Sequence, residues 1–256
     1  FGAVAKTYYA QKAGIDPKNI VVVSIMPCTA KKFEAKRPEM NDSGYQDVDI
    51  VLTTRELSRM LKEAGIDLKN MPEENYDDPL GISTGAGVIF GATGGVMEAA
   101  LRTVYEVLTG KELPKIDFEE VRGVEGVKEA EIQINDITAK VAVAHGLANA
   151  KKVLERVKNG EAEYHFVEIM CCPGGCVGGG GQPIVNADKR WEKDYKEVRG
   201  KAVYEVDKNM PIRKSHENPA IKAIYEEFLK EPLGEKSHKL LHTHYTPRGK
   251  YPEKAE

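Results

Sequence analysis

The order of apolar and polar residues switches between strand-like and helix-like periods along the whole chain. Residues 1–12 carry a helical pattern that Gly14 closes, and Asp16-Pro17-Lys18-Asn19 reads as a turn. Ile20 to Met26 is a β-branched apolar run and predicts a buried strand. That strand delivers Cys28 into the loop at its C-terminal end, where open α/β sheets place ligands. Val48 to Leu52 predicts a second short strand. Thr54 then reads as the cap of a helix with Leu57, Met60 and Leu61 on one face and Gly65 at its end. Residues 66–82 are polar and predict a surface excursion.

Thr93-Gly94-Gly95 opens a strong helix to Leu108, closed by Gly110, with Val96, Ala99, Ala100, Val104, Val107 and Leu108 at helical spacing. Ala130 to Val143 alternates around Asn135-Asp136 and predicts a hairpin. A helix from Leu147 to Val157 ends near Gly160. Tyr164 to Met170 predicts another strand that again hands cysteines to the loop beyond it. Asn218-Pro219 is a cap followed by proline at the first helical position, opening a helix to Leu229. No internal repeat is visible. The alternation predicts an α/β fold of sheets flanked by helices.

Composition narrows the class only slightly. The 256 residues are 41% hydrophobic and 30% charged, with a net charge of −3. That balance argues against a general nucleic-acid binder and supports a packed core under a heavily solvated surface. No apolar run approaches the ~20 residues of a membrane span, so no membrane partner is expected. Four cysteines in a chain this long do not make a disulfide scaffold. Two of them, Cys171 and Cys172, are adjacent. Reduced thiols holding a metal centre in the cytoplasm fit better.

The informative stretch is Phe166 to Pro183, which holds Cys171, Cys172 and Cys176 among glycines. Thiolates are the ligands of iron–sulfur clusters, and glycine lets backbone N–H groups approach cluster sulfides without a Cβ clash. The fourth cysteine lies in Met26-Pro27-Cys28-x-x-Lys31-x-x-Glu34. These two segments resemble the signature motifs M-P-C-x-x-K-x-x-E and F-x-E-x-M-x-C-x-G-G-C-x-x-G-G-G-Q-P of the iron-only, or [FeFe], hydrogenases, and every fixed position is matched. Ile89-Phe90-Gly91-Ala92-Thr93-Gly94-Gly95 and the tail from Ser215-His216-Glu217-Asn218 to His242-Thr243-His244-Tyr245 resemble further segments of that family.

The resemblance implies a partial hydrogenase catalytic-domain fold. It implies residues 1–205 as the C-terminal H-cluster region and residues 206–256 as a helical, small-subunit-like tail. It implies that Cys28, Cys172 and Cys176 bind the cubane [4Fe–4S] part of an H-cluster. Cys176 would also bridge to a two-iron subsite carrying CO, CN and a bridging dithiolate. Lys31 would meet a cyanide of that subsite, with Glu34 holding the ammonium. Met26 and Met170 would pack around the subsite, Pro27 would fix the start of the Cys28 loop, and Phe90 and Gly91 would line the pocket. The start of the Thr93 helix would aim its free N–H groups at the anionic centre.

Bland alternatives stand beside each of these. The cysteines could be buried structural thiols, though their loop placement and glycine context argue against it; Lys31 and Glu34 could be a surface ion pair, and the methionines and Phe90 ordinary core. Cys171 is expected to point away from Cys172 and pack as a small hydrophobe. His238 and His242 have a spacing that can bind zinc, but no further ligand accompanies them and they read as structural.

The implied activity is reversible reduction of protons to H2, with ferredoxin or upstream iron–sulfur domains as electron partner. The family's first motif, T-S-C-C-P-x-W, would lie before Phe1. The chain is therefore expected to be a fragment, with the cluster absent or incomplete and little activity alone. Two other readings are a sensory hydrogenase-like regulatory protein and an iron–sulfur assembly protein of the nuclear-prelamin-recognition type.

Overall fold

The computed structural model describes residues 1–123 and 125–249. The chain folds into two compact units. One comprises Phe1–Ser24, Ala30–Leu52 and the segment from Ala223 onward; the other comprises Ile25–Thr29 and Thr53–Lys222.

The first unit is built on helices. Residues 2–13 are helical throughout, with a π-helical turn at Ala5–Tyr9 between α-helical ends, and Gly14 stops the run at φ 65°. Asp16 caps the short 3-10 turn Pro17–Asn19. Lys6 is buried and reaches Asp49 at 2.7 Å, so its ammonium is paired rather than stranded. Tyr8 donates to Glu227 at 2.6 Å and packs on Phe228, joining this helix to the turn Tyr225–Leu229.

Strands β1 (Val23–Met26) and β2 (Ile50–Thr53) form a two-stranded sheet, and the chain passes between the units within each of them. The expected buried strand at residues 20–26 is shorter, and Val21, Val23 and Ile25 are exposed. Periodicity reports where apolar residues fall, not whether anything covers them. The helix after β2 runs Thr54–Glu63, and its cap is Thr53 rather than Thr54. Thr53 Oγ1 accepts from Glu56 N while the Glu56 carboxylate accepts from Thr53 N, a complete capping box.

The second unit holds a three-stranded sheet in the order β3 (Val127–Ile134), β4 (Ile137–His145), β5 (Phe166–Met170). β3 and β4 form the expected hairpin, with Asn135 at φ 53° in the turn. β5 lies parallel to β4, reached through the crossover helix Leu147–Lys158. One face of the sheet packs Val141 and Val143 against Met97 and Leu101 of the helix Gly95–Thr109, with Phe118 and Val121 closing the cluster. Full burial of each such side chain stabilises by about 1.5–3 kcal/mol. The other face packs Ala142 and Ala144 on Val153.

The helix Gly95–Thr109 begins and ends as expected, but its buried face differs. Met97, Glu98, Ala99, Leu101 and Arg102 are buried, whereas Val104, Val107 and Leu108 are exposed. Glu98 and Arg102 are fully buried and paired at 2.7 Å. Arg102 also reaches Asp207 at 2.9 Å, and Asp207 in turn accepts from Arg213. Arg122 and Asp117 complete a network of three arginines and three carboxylates. Desolvation opposes its charges, but hydrogen bonds from Arg102 and Arg213 hold the Asp207 carboxyl below its ordinary range. The network ties the helix Gly95–Thr109 to the helix Tyr195–Asn209, whose Val203 and Tyr204 pack beside Ala86, Ile89 and Ala99. Removing one member of such a buried pair typically costs about 3–5 kcal/mol.

Candidate cluster-binding site

Residues 171–183 leave the end of β5 as a loop whose backbone packs inward and whose thiols face outward. Gly174, Gly175, Gly179 and Gly181 are buried, while Cys171 and Cys176 are exposed and Cys172 half-buried. The loop is folded by its own peptides. Gly175 N donates to Cys172 O at 3.0 Å, and Gly179 N to Cys176 O at 2.8 Å. Gly174 and Gly175 adopt φ of 80° and 90°, conformations that favour glycine.

The loop lies directly on the backbone that carries Cys28. Gly181 N donates to Pro27 O at 3.0 Å. A Cβ on Gly179 would overlap Pro27 O, and one on Gly181 would lie 2.8 Å from Cys28 N. On its other side, Thr93 N donates to Gly174 O at 3.1 Å, and a Cβ on Gly175 would lie 2.5 Å from Thr93 N and 3.0 Å from Met170 Sδ. Glycine is therefore required here by close approach of two other backbone segments.

Cys28 and Cys172 become neighbours through this packing. Burial pushes the Cys172 thiol up, the thiols of Cys28 and Cys171 add to the rise, and the Gly180 N–H opposes it. Thiols gathered without a cation resist ionisation, and a bound metal relieves that cost. Among the described residues, the trio spaced for a single metal ion is Glu106, His216 and Glu217, not the cysteines. Lys214 already bridges Glu106 at 2.7 Å and Glu217 at 3.0 Å there, so both carboxylates of that trio have a cationic partner. Partly and fully exposed thiols on a glycine-rich backbone cradle fit an iron–sulfur cluster, whose ligands are thiolates.

Several expectations need correction. Cys28 and Cys172 do converge, but β1 and β5 belong to different sheets, so the meeting is made by loop backbones rather than by adjacent strand ends. The cysteines are not core thiols. Cys171 is exposed and does not pack as a small hydrophobe. Phe90 is 46% exposed; Ile89 beside it is the core residue. Gly91 packs near Val177 and Val203. Met26, Pro27 and Met170 are half-buried next to the cysteine loops.

The start of the Gly95–Thr109 helix does not offer its N–H groups to the loop. Glu168 takes them: its carboxylate accepts from Gly94 N and Met97 N, each at 2.7 Å. Glu168 is buried on β5, and desolvation pushes its carboxyl up against these hydrogen bonds. Lys128 is buried nearby, pushed down to about 8 by desolvation against the pull of Glu168 and Glu125. Glu168 was visible as a fixed motif position, but nothing in the sequence pointed to its role.

Lys31 and Glu34 lie in the first unit, on the short helix Lys31–Glu34. They pair with each other at 2.8 Å, with the two side chains 42% and 38% exposed. The ammonium is therefore not buried in this unit, and its pairing is that of a surface bridge. His238 and His242 stack with ring centroids 4.4 Å apart.

The family model for the iron only hydrogenase large subunit, C-terminal domain, matches residues 1–180, and that for the iron hydrogenase small subunit matches residues 193–248. The chain belongs to the iron-only hydrogenase family. It is 54% identical over 248 residues to the NADP-reducing hydrogenase subunit HndD of Solidesulfovibrio fructosivorans, covering 97% of this chain and 42% of that protein. It superposes on an apo [FeFe]-hydrogenase HydA1 from Chlamydomonas reinhardtii with a TM-score of 0.78 and 46% identity, over 95% of this chain and 67% of that one. Protein NAR1 of Arabidopsis thaliana is 32% identical over 260 residues, covering 96% of this chain and 54% of that protein. The chain thus spans 42% of the HndD sequence and 67% of the superposed HydA1 chain, so it covers only part of these relatives. The α/β architecture expected from the sequence agrees with the fold of the superposed hydrogenase. No helix among the described residues is long and apolar enough to cross a membrane.

Proposed function

We propose that this chain is the cluster-bearing C-terminal part of an [FeFe] hydrogenase that interconverts two protons and two electrons with H2. The observation that carries the reading is the seating of Gly179 and Gly181 against Pro27 and Cys28, which brings the half-buried Cys28 and Cys172 together beside the exposed Cys176. In this reading Cys28, Cys172 and Cys176 hold the [4Fe–4S] part of the H-cluster, and Cys176 links it to the two-iron subsite. When bound, the H-cluster supplies the electron-transfer and proton-reducing chemistry. The chain's own residues orient and shield it. Met26 and Met170 present thioethers that limit water, Pro27 sets the start of the Cys28 loop, and Phe90 and Gly91 line the pocket. Lys31 would donate a hydrogen bond to a cyanide of the bound group, and Glu34 would steady the ammonium.

In this reading electrons come from ferredoxin or from iron–sulfur domains of the same protein, and the protein works in the cytoplasm. Residues 1–205 act as the cluster-bearing part and 206–256 as its small-subunit-like companion. A cubane takes four ligands and the matched motifs supply three, so residues 1–256 alone should turn over H2 weakly.

Anaerobic reconstitution with iron and sulfide tests the reading. The chain should turn brown, absorbing near about 400 nm, and Cys28→Ala, Cys172→Ala or Cys176→Ala should abolish the colour. A wild-type chain that binds no iron and sulfide sinks the proposal. The similarity to NAR1 supports a second reading as an assembly factor, against which the intact Lys31, Glu34 and Met170 count. Maturation of the full-length protein separates them: a hydrogenase gains CO and CN infrared bands and evolves H2, and an assembly factor retains iron–sulfur absorbance alone.

A further inference from the structure

The cysteine loop is closed by a helix outside the part of the chain that matches the large subunit. Helix Tyr195–Asn209 falls wholly within residues 193–248, the small-subunit match. Its Arg199 donates from Nη1 to Val177 O at 3.1 Å and from Nη2 to Pro183 O at 3.0 Å. These carbonyls bracket the run Gly178–Gln182, directly after Cys176. From this fork we infer that Arg199 is a positioning residue for the cluster loop, and that the small-subunit segment thereby completes the cysteine site. The inference rests on the proposal that the loop holds an iron–sulfur cluster.

Three features support it. First, the contact is a stripe and not a single bond. Lys196, Arg199 and Val203 recur at helical spacing on one face. A Cβ on Gly174 would lie 2.9 Å from Lys196 Cβ, and one on Gly178 would lie 3.4 Å from Lys196 Cγ, while Val203 continues the same face onto Gly91 beside the loop. Second, the helix is itself anchored. Asp207, at its far end, sits in the buried network with Arg102, so Arg199 projects from a fixed support. Third, the loop needs outside holders. Glycine has no side chain to pack and loses more conformational freedom on ordering than any other residue. Arg55 supplies a second holder, donating to Gly180 O at 2.8 Å, so the carbonyls of residues 177, 180 and 183 are all held by guanidinium groups. A planar fork fixes two carbonyls at once, and a lysine ammonium on a flexible stem does not fix the same geometry.

The test uses the whole 256-residue chain without metal, then after reconstitution. Amide hydrogen exchange over residues 176–183 is compared in wild type, Arg199→Met, Arg199→Lys and the control Lys201→Ala. Lys201 is exposed on the same helix and pairs with Glu197. Arg199→Met should speed exchange in 176–183 at least tenfold and leave β3–β5 unchanged. Arg199→Lys should fall between, and Lys201→Ala should match wild type. After reconstitution, iron should leave Arg199→Met at least tenfold faster than wild type. Unchanged exchange in Arg199→Met overturns the inference. If Arg199→Met loses protection everywhere, Arg199→Lys decides: faster exchange confined to 176–183 supports the clamp, and wild-type exchange there overturns it. A wild-type chain that never retains iron defeats the hydrogenase reading, while the exchange data still judge the clamp.

Discussion

The cysteine loop and the Lys31–Glu34 turn are held in different ways. The loop 171–183 is held at its own main chain: Thr93 N donates to Gly174 O, Gly181 N donates to Pro27 O, and two arginine side chains donate to three of its carbonyls. The Lys31–Glu34 turn is fixed by its own helical bonds and a half-exposed ion pair. The first arrangement tolerates no added atom at several positions; the second tolerates substitution. A site that must hold several thiolates in register is built from backbone, because backbone packing varies little with side-chain motion. A side chain that must touch a bound ligand is left to be ordered by that ligand.

This contrast predicts the largest effect at the glycines. Gly179→Ala places a methyl group into Pro27 O at an ordinary φ, so the damage is steric and local. Overpacking of this kind costs roughly 1–3 kcal/mol, and reconstituted iron should be lost at least tenfold faster. Urea melts and iron analysis read both effects. A Gly179→Ala chain with wild-type stability and iron retention would show that the loop is not seated as described.

A smaller effect belongs to Glu168, which fixes the helix start that the loop leans on. Glu168→Gln keeps the shape but turns one of the two accepting oxygens into an amide NH2, which cannot accept from a backbone N–H; one of the two hydrogen bonds is lost, which should cost about 1 kcal/mol at low pH. The pH dependence has a definite sign. Burial raises the folded-state pKa of Glu168 above its ordinary 4.5. Its contribution is therefore fully present below pH 4.5 and declines as pH rises through the folded value. The gap between wild type and Glu168→Gln should narrow as pH rises above 4.5. A gap that widens with pH would mean that the carboxylate, not the acid, is the stabilising form.

Much of this was legible in sequence, and the misses have physical causes. The turn at Gly94–Gly95, the stop at Gly110 and the hairpin at Asn135 were readable because special backbone conformations demand special residues. Thr53 is also legible as the cap, since Thr53-x-x-Glu56 has the capping-box pattern and Thr54 lacks a Glu or Gln three residues on. The buried face of helix Gly95–Thr109 was not, because Glu98 and Arg102 look like any exposed i,i+4 pair until their partners Asp207 and Arg122 arrive from distant segments. The exposure of Val21, Val23 and Ile25 was hidden for the converse reason. The cysteines were legible through their glycines, but the residues that hold the loop were not: Arg55 and Arg199 are ordinary charges in charged stretches, and only tertiary structure aims them at carbonyls.

The smallest structural effect is expected where the largest functional one is proposed. Lys31→Ala removes an ion pair whose two side chains are 42% and 38% exposed. Exposed pairs contribute about 0–1 kcal/mol, so the melting curve of the chain should barely move. Iron retention should also be unchanged, because no thiolate and none of the holders of the 171–183 loop is touched. In the full-length enzyme the same substitution should nearly abolish H2 turnover if Lys31 meets a ligand of the two-iron subsite. The pattern to look for is separation: stability and cubane absorbance as in wild type, turnover lost. Wild-type turnover would reduce Lys31 to a surface charge. Loss of iron along with turnover would mean that the lysine turn helps to hold the cluster after all, and that the division between a backbone-built and a ligand-ordered segment is wrong.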